Sequence, residues 1–232
     1  MTDLLQVQHL SFGFHDRKLY SDLNFTLQQG SMTSLIGANG VGKTTLVRLL
    51  MGQLRPQSGQ IQYMPGMKLG YVPQFRNIDP EYPLSIRSFV QLNQLHHNFF
   101  WHTRYEQAEL SDVLKQTHLL ARQRQLLGRA SGGEKQKAYL AQALLTHPNF
   151  LILDEATASL DVNTKVELMT LVQELNQTLG LTVLFVTHDL GLAKDFTDQY
   201  LLLTPGHYEM HQTKDMDEAA MPEELQSAQE VE

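Results

Sequence analysis

The stretch GANGVGKTT, residues 37–45, decides the fold. It fits the pattern G-x-x-x-x-G-K-S/T. It lies between the strand-like SLIG and TTLVRLL, a run with helical spacing at Leu46, Leu49 and Leu50 and with Gly52 placed to end it. Strand, glycine-rich loop and helix are the context in which this pattern holds phosphate. Gly40 and Gly42 let the backbone amides turn inward without a Cβ in the way. Lys43 sets a point charge on the β and γ phosphates, Thr44 offers a hydroxyl to Mg²⁺, and the helix adds the positive end of its dipole. Gly37, Ala38, Asn39, Gly40, Val41, Gly42, Lys43, Thr44 and Thr45 are therefore read as nucleotide-binding residues.

Working outward, FLILDEAT (residues 150–157) sets two carboxylates just past an apolar strand, where parallel sheets place their ligand sites. Adjacent acids there are often only a solvated loop start. Beside a phosphate loop, Asp154 reads as a holder of the metal's water shell and Glu155 as the base for an attacking water. His188 ends a second buried strand, LFVTHD, at the same end, within reach of a γ-phosphate. Gln74, after LGYVP, supplies a neutral amide that can contact Mg²⁺ or that water. ASGGEKQK (residues 130–137) is a second anion-holding arrangement, with Ser131, Gly132, Gly133 and Glu134 at a helix start.

The chain has 232 residues and is 42 % apolar, enough for a full core, and its apolar runs are strand-sized. MTDLLQVQ has neither a basic region nor a cleavage site, so a soluble, cytosolic protein is expected. The absence of cysteine excludes disulfides, thiolate metal sites and cysteine nucleophiles. Residues 209–232 carry eight acids and one lysine, so the net charge of -7 lies there and the body is neutral. A basic nucleic-acid footprint is missing, and no nucleic-acid partner is expected. Residues 211–232 read as an acidic, disordered tail.

The N-terminal third alternates as strands, with Gly30 at a turn. IQYMPGMKLGYVPQ suggests two short strands around a Pro65-Gly66 turn. Residues 77–137 read as an inserted helical subdomain, with helical spacing at Leu110, Val113, Leu114 and Thr117. From residue 132 a helix runs to Thr146, ahead of Pro148. Asp161 starts a further helix that Gly180 ends, and YLLLTPGHYEM is hairpin-like. The rhythm is an α/β fold with a mainly parallel sheet, an N-terminal antiparallel β subdomain and a helical insert, over residues 1–210.

This set of motifs resembles the ATP-binding subunit of ABC transporters, a P-loop ATPase fold. In the family's terms Walker A is GANGVGKTT, the Q-loop glutamine is Gln74, the signature is ASGGEKQK, Walker B is LILDE, the D-loop is ASLD and the switch histidine is His188. Phe14 falls where the family has the aromatic residue that stacks on adenine. The resemblance implies ATP and Mg²⁺ as cofactors, with Thr44, Gln74 and Asp154 toward the metal. It implies Glu155, His188, Lys43 and Gln74 as catalytic residues. It also implies a head-to-tail dimer with a second copy, in which Ser131, Gly132, Gly133 and Glu134 meet the ATP of the opposite subunit. The further partners implied are a polytopic permease and, indirectly, an extracytoplasmic solute-binding protein. The implied location is peripheral, on the cytoplasmic face of the inner membrane.

Three positions depart from the family pattern: Ala130 where Leu is general, Glu134 where Gln is usual, and Ala156 where Pro is usual. Ala130 is expected to weaken the apolar anchoring of the signature helix, and Glu134 to add repulsion that Lys135 and Lys137 offset. The segment from Walker A through Gln74 and the Phe99, Phe100 and Trp101 cluster look like bacterial zinc, manganese or iron uptake systems. The alternatives are a siderophore, other-solute or export transporter and a soluble ABC ATPase acting on DNA, ribosomes or iron-sulfur assembly. His96, His97 and His102 flank the aromatic cluster and read as a solvated helical face beside a docking patch.

Overall fold

The computed structural model describes residues 2–14, 17–74, 79, 81, 83–94, 103–222 and 225. His96, His97, His102 and the Phe99 to Trp101 cluster lie outside the described residues. Two sheets carry the fold. Strands β1 (Asp3–Phe14), β2 (Arg17–Gln28) and β4 (Ser58–Tyr63) form an antiparallel sheet in the order β2-β1-β4. The second sheet joins β3 (Met32–Gly37), β5 (Leu69–Val72), β6 (Phe150–Asp154), β7 (Thr182–Thr187), β8 (Gln199–Thr204) and β9 (His207–Gln212) in the order β5-β6-β7-β3-β8-β9. All of its pairings are parallel except β8 with β9.

Burial on both faces explains why β6 and β7 read as apolar runs, and it holds equally for β3, which is buried throughout although it carries Thr33 and Ser34. Along β6 the two-residue period still sorts side chains. Phe150 and Ile152 join a core beneath the antiparallel sheet and helix α1 (Lys43–Leu50), while Leu151 and Leu153 join the core on the opposite face. That opposite face is covered by α2 (Ile86–Gln91), α3 (Arg104–Gln116), α4 (Gly132–Leu144) and α5 (Val162–Leu179). Helices α2 to α4 all fall between β5 and β6, so the insert sits where helical spacing was read. Leu110, Val113 and Leu114 form the buried stripe of α3. Asp161 caps α5 and Gly180 ends it at φ 67°. Between β7 and β8 runs α6 (Leu190–Phe196).

The two short strands either side of Pro65-Gly66 are β4 and β5: β4 pairs with β1 and β5 with β6, so the turn carries the chain from one sheet to the other. One expectation changes. Residues 211–221 are not frayed. Residue 212 ends β9, two single 3-10 turns follow, and Met216, Met221 and Leu225 are buried with Ile36, Leu190, Ala193 and Tyr200. Three apolar side chains dock an otherwise acidic segment, and composition averages over them.

Candidate functional site

The loop after β3 is shaped by its glycines. At Gly37 a Cβ would stand 2.7 Å from the Leu203 carbonyl oxygen, so the strand end tolerates no side chain. Gly40 and Gly42 hold φ of 77° and 120°, conformations that favour glycine. Gly42 also precedes α1 with no side-chain cap, which leaves the first amides of that helix to a ligand. Lys43 is 5 % exposed, and its Nζ donates to the carbonyls of Gly37 (2.6 Å) and Ala38 (3.2 Å). Burial pulls its pKa down, opposed by the charges of Glu155 and Asp154.

Strand β2 clamps this loop from the antiparallel sheet. Arg17 Nη2 donates to the Gly40 carbonyl at 2.9 Å, and the Tyr20 hydroxyl donates to that of Gly42 at 2.5 Å. A Cβ on Gly42 would meet the Tyr20 hydroxyl, so tyrosine and glycine constrain each other. Burial holds the Tyr20 phenol protonated by pushing its pKa up, which suits a permanent donor. A cleft of about 310 Å³ runs from Phe14, half exposed at the end of β1, past Arg17, Lys43, Thr44 and Thr45 to Glu155.

The acidic end of β6 faces the same cleft. Asp154 is buried and accepts from the Tyr71 hydroxyl at 2.8 Å. Burial raises its pKa, and the tyrosine bond pulls it back. Glu155 takes φ 49°, left-handed for a non-glycine residue, a conformation that costs about 1–3 kcal/mol and clusters at functional sites. Its amide donates to the Val186 carbonyl at 3.1 Å, which ties it to the end of β7. Its Oε2 accepts from Gln74 Nε2 at 3.0 Å, and its Oε1 lies 3.9 Å from Lys43 Nζ. His188 follows β7, the strand between β6 and β3, and is partly buried in the turn before α6. Thus Lys43, Asp154, Glu155, Gln74, Thr44 and Phe14 gather at one sheet end, and His188 leaves the strand between the phosphate loop and the carboxylates. An oxyanion-binding loop, a buried cation and a carboxylate a few ångströms away suit polyphosphate binding and water activation.

Ser131, Gly132, Gly133 and Glu134 line no part of that cleft. Ser131 caps α4 in a reciprocal box: its hydroxyl accepts from the Glu134 amide at 3.2 Å, and Glu134 Oε2 accepts from the Ser131 amide at 2.8 Å. Glu134 is thereby drawn back onto its own helix end, with Arg122 Nε 3.7 Å away. Arg122 is a compensating charge that the sequence reading did not name, and Lys137 pairs with Glu167 at 2.5 Å. Ala130 is buried in the core beside the helix it precedes.

The signature glycines have a packing reason. A Cβ on Gly132 would stand 2.9 Å from Leu160 Cδ2, and one on Gly133 would stand 2.5 Å from Thr164 Cγ2. Thr164 cannot rotate away freely, because its hydroxyl donates to Asp161 Oδ2 at 2.7 Å. Gly133→Ala is therefore expected to destabilise the chain by about 1–3 kcal/mol. Thr164→Ser, which removes the methyl and keeps the hydroxyl, should recover most of that loss; thermal melts of the three variants measure it.

Tyr71, Arg17 and Tyr20 have no sequence signal. Each acts on a loop or strand brought to it by pairing or sheet packing. No helix among the described residues is long and apolar enough to cross a membrane.

Residues 20–158 match the sequence family described as ABC transporter. The zinc import ATP-binding protein ZnuC of Yersinia enterocolitica is 37 % identical over 203 residues, covering 88 % of this chain and 77 % of its own length. Among solved structures, an inward-facing ABC transporter described as of a putative metal-chelate type superposes with TM-score 0.85 at 27 % identity, covering 98 % of this chain and 88 % of its own. CbiO1 of Clostridium perfringens, part of the ABC transporter complex CbiONQ, gives 0.81 at 27 % identity, over 92 % and 90 % of the two chains.

Proposed function

The chain belongs to the ABC transporter family as an ATP-binding, ATP-hydrolysing subunit, and from that premise we propose that it powers zinc import as a head-to-tail dimer beneath a separate permease. The observation that carries the chemistry is the position of Glu155, whose carboxylate lies between the Gln74 amide and the Lys43 ammonium in the cleft that begins at Phe14.

Adenine stacks on Phe14, and the amides of residues 37–45 with Lys43 wrap the phosphates. Lys43 spends two hydrogen bonds on its own loop and directs its remaining donor to the γ-phosphate. Glu155 accepts the proton of the attacking water, and His188 orients the γ-phosphate from the adjacent strand end. Asp154, Thr44 and the Gln74 carbonyl oxygen form an all-oxygen donor set that fits a hard divalent cation. Mg²⁺ held there would neutralise charge on the phosphates. Tyr71 holds Asp154 toward that position.

The trans role of the signature is supported by its absence from the cleft of its own chain. With its hydroxyl proton free to donate, Ser131 offers a hydrogen bond at the positive end of α4 to the γ-phosphate of the opposite subunit. ATP then joins the two copies, and hydrolysis releases them. The chain works on the cytoplasmic face of the membrane, with a solute-binding protein on the far side of the permease.

Zinc as the cargo rests on the likeness to ZnuC over 88 % of the chain. The likeness to the metal-chelate transporter favours a second reading, import of a chelated metal. Uptake by a deletion strain separates them. Loss of high-affinity ⁶⁵Zn uptake, restored by the wild-type gene, is expected; loss of metal-chelate uptake with zinc uptake intact would favour the second reading.

A further inference from the structure

Outside the nucleotide cleft, the structure holds a buried cation that the chemistry above does not use. Lys165, on the first turn of α5, is 3 % exposed, and its Nζ lies 3.5 Å from Asp189 Oδ2. A buried ammonium is tolerated only when paired, and Asp189 supplies one of the negative charges that face this one. Asp189 immediately follows His188 and does more than meet Lys165. Its Oδ1 accepts from the Leu192 amide at 3.0 Å as the cap of α6, and its own amide donates to Thr187 Oγ1 at 3.0 Å. These bonds fix residues next to His188, while no hydrogen bond to the His188 ring is found among the described residues.

The other end of the contact is equally placed. Lys165 follows Thr164, whose methyl closes on Gly133, and α5 begins at the Asp161 cap of the D-loop. One helical turn therefore touches both the signature end of α4 and the loop that carries His188.

We infer that Lys165 is a positioning residue for ATP hydrolysis: paired with Asp189, it locks the His188 turn onto the first turn of α5, beneath the signature. The inference rests on the reading that His188 orients the γ-phosphate. Displacement of a reacting group by about 1 Å can cost on the order of 10²-fold in rate. Removing the lock should act on kcat and leave the phosphate loop, and hence ATP affinity, in place.

The test uses the purified full chain and four variants, with kcat and KM for ATP and a thermal melt for each. Lys165→Met keeps the buried stem and drops the charge. Asp189→Asn keeps a cap oxygen for Leu192 and weakens only the charge toward Lys165. Both are expected to lower kcat by about 10- to 100-fold with KM changed by less than about threefold. Lys165→Arg should retain most of the rate. The double variant Lys165→Met/Asp189→Asn should be no slower than either single one, since the two residues act as a unit. If Lys165→Met fails to fold, Asp189→Asn decides, because its cap is intact. A kcat within twofold of wild type in Asp189→Asn, or a rate loss that Lys165→Arg does not rescue, overturns the inference. His188→Ala separates the two levels: full activity of that variant sinks the role of His188, whereas an inactive His188→Ala beside a normal Asp189→Asn sinks only the role of Lys165.

Discussion

Glu155→Gln is expected to lower ATP turnover by about 10²- to 10⁴-fold while leaving ATP binding intact. The substitution is nearly isosteric, and its remaining carbonyl oxygen can still accept the 3.0 Å hydrogen bond from Gln74. Its backbone keeps the same left-handed conformation at the same cost, because glutamine and glutamate share their Cβ and Cγ geometry. What disappears is the acceptor for the water proton, together with the negative charge 3.9 Å from Lys43. Loss of that charge removes a repulsion toward the γ-phosphate, so ATP should bind at least as tightly. Tight binding without hydrolysis should trap the ATP-joined dimer. Size-exclusion chromatography with light scattering should then show a species of twice the chain mass in ATP and a monomer in ADP. Wild-type turnover by this variant would remove Glu155 from the role of base, and slow turnover with no dimer would separate the chemistry from the assembly.

What the sequence made legible was what is local in the chain. The phosphate loop, the strand-end pair Asp154 and Glu155, the caps at Asp161 and Gly180 and the buried stripe of α3 are each written within a few consecutive residues. What sequence reading missed was non-local. Tyr71 reaches Asp154 only because β5 pairs with β6 across an 81-residue separation at their start, and Arg17 and Tyr20 reach the loop only because the antiparallel sheet packs over α1. Residues 213–221 misled for a different reason. Their acidity dominates the composition, yet folding is decided by where Met216 and Met221 land, against Leu190 and Tyr200. Glu134 shows a local signal read in the wrong register. Its S-x-x-E spacing to Ser131 is a capping box, and the bond to the Ser131 amide with Arg122 nearby ties its carboxylate to its own helix end.

Mixing two inactive variants is expected to restore activity if the signature works across the dimer. Lys43→Ala removes the buried cation of the phosphate loop, whose Nζ spans the Gly37 and Ala38 carbonyls, and leaves the distant signature untouched. Ser131→Arg removes the cap of α4 and sets a bulky cation where a γ-phosphate would dock. Ser131 is exposed, so the core is spared, and the lost cap costs about 1 kcal/mol. Each homodimer then lacks something at both of its sites. In the mixed dimer, one site inherits both defects, and the other pairs the intact loop of the Ser131→Arg chain with the intact signature of the Lys43→Ala chain. If the chains pair at random and the sites act independently, an equal mixture should recover about a quarter of the wild-type rate. A signature serving its own chain predicts none, because every subunit would carry a damaged site. Titrating one variant into the other at fixed total protein, with crosslinking to count mixed dimers, distinguishes the two: activity that rises and falls with the mixed-dimer fraction requires a site shared between chains, and a flat baseline with abundant mixed dimers excludes it.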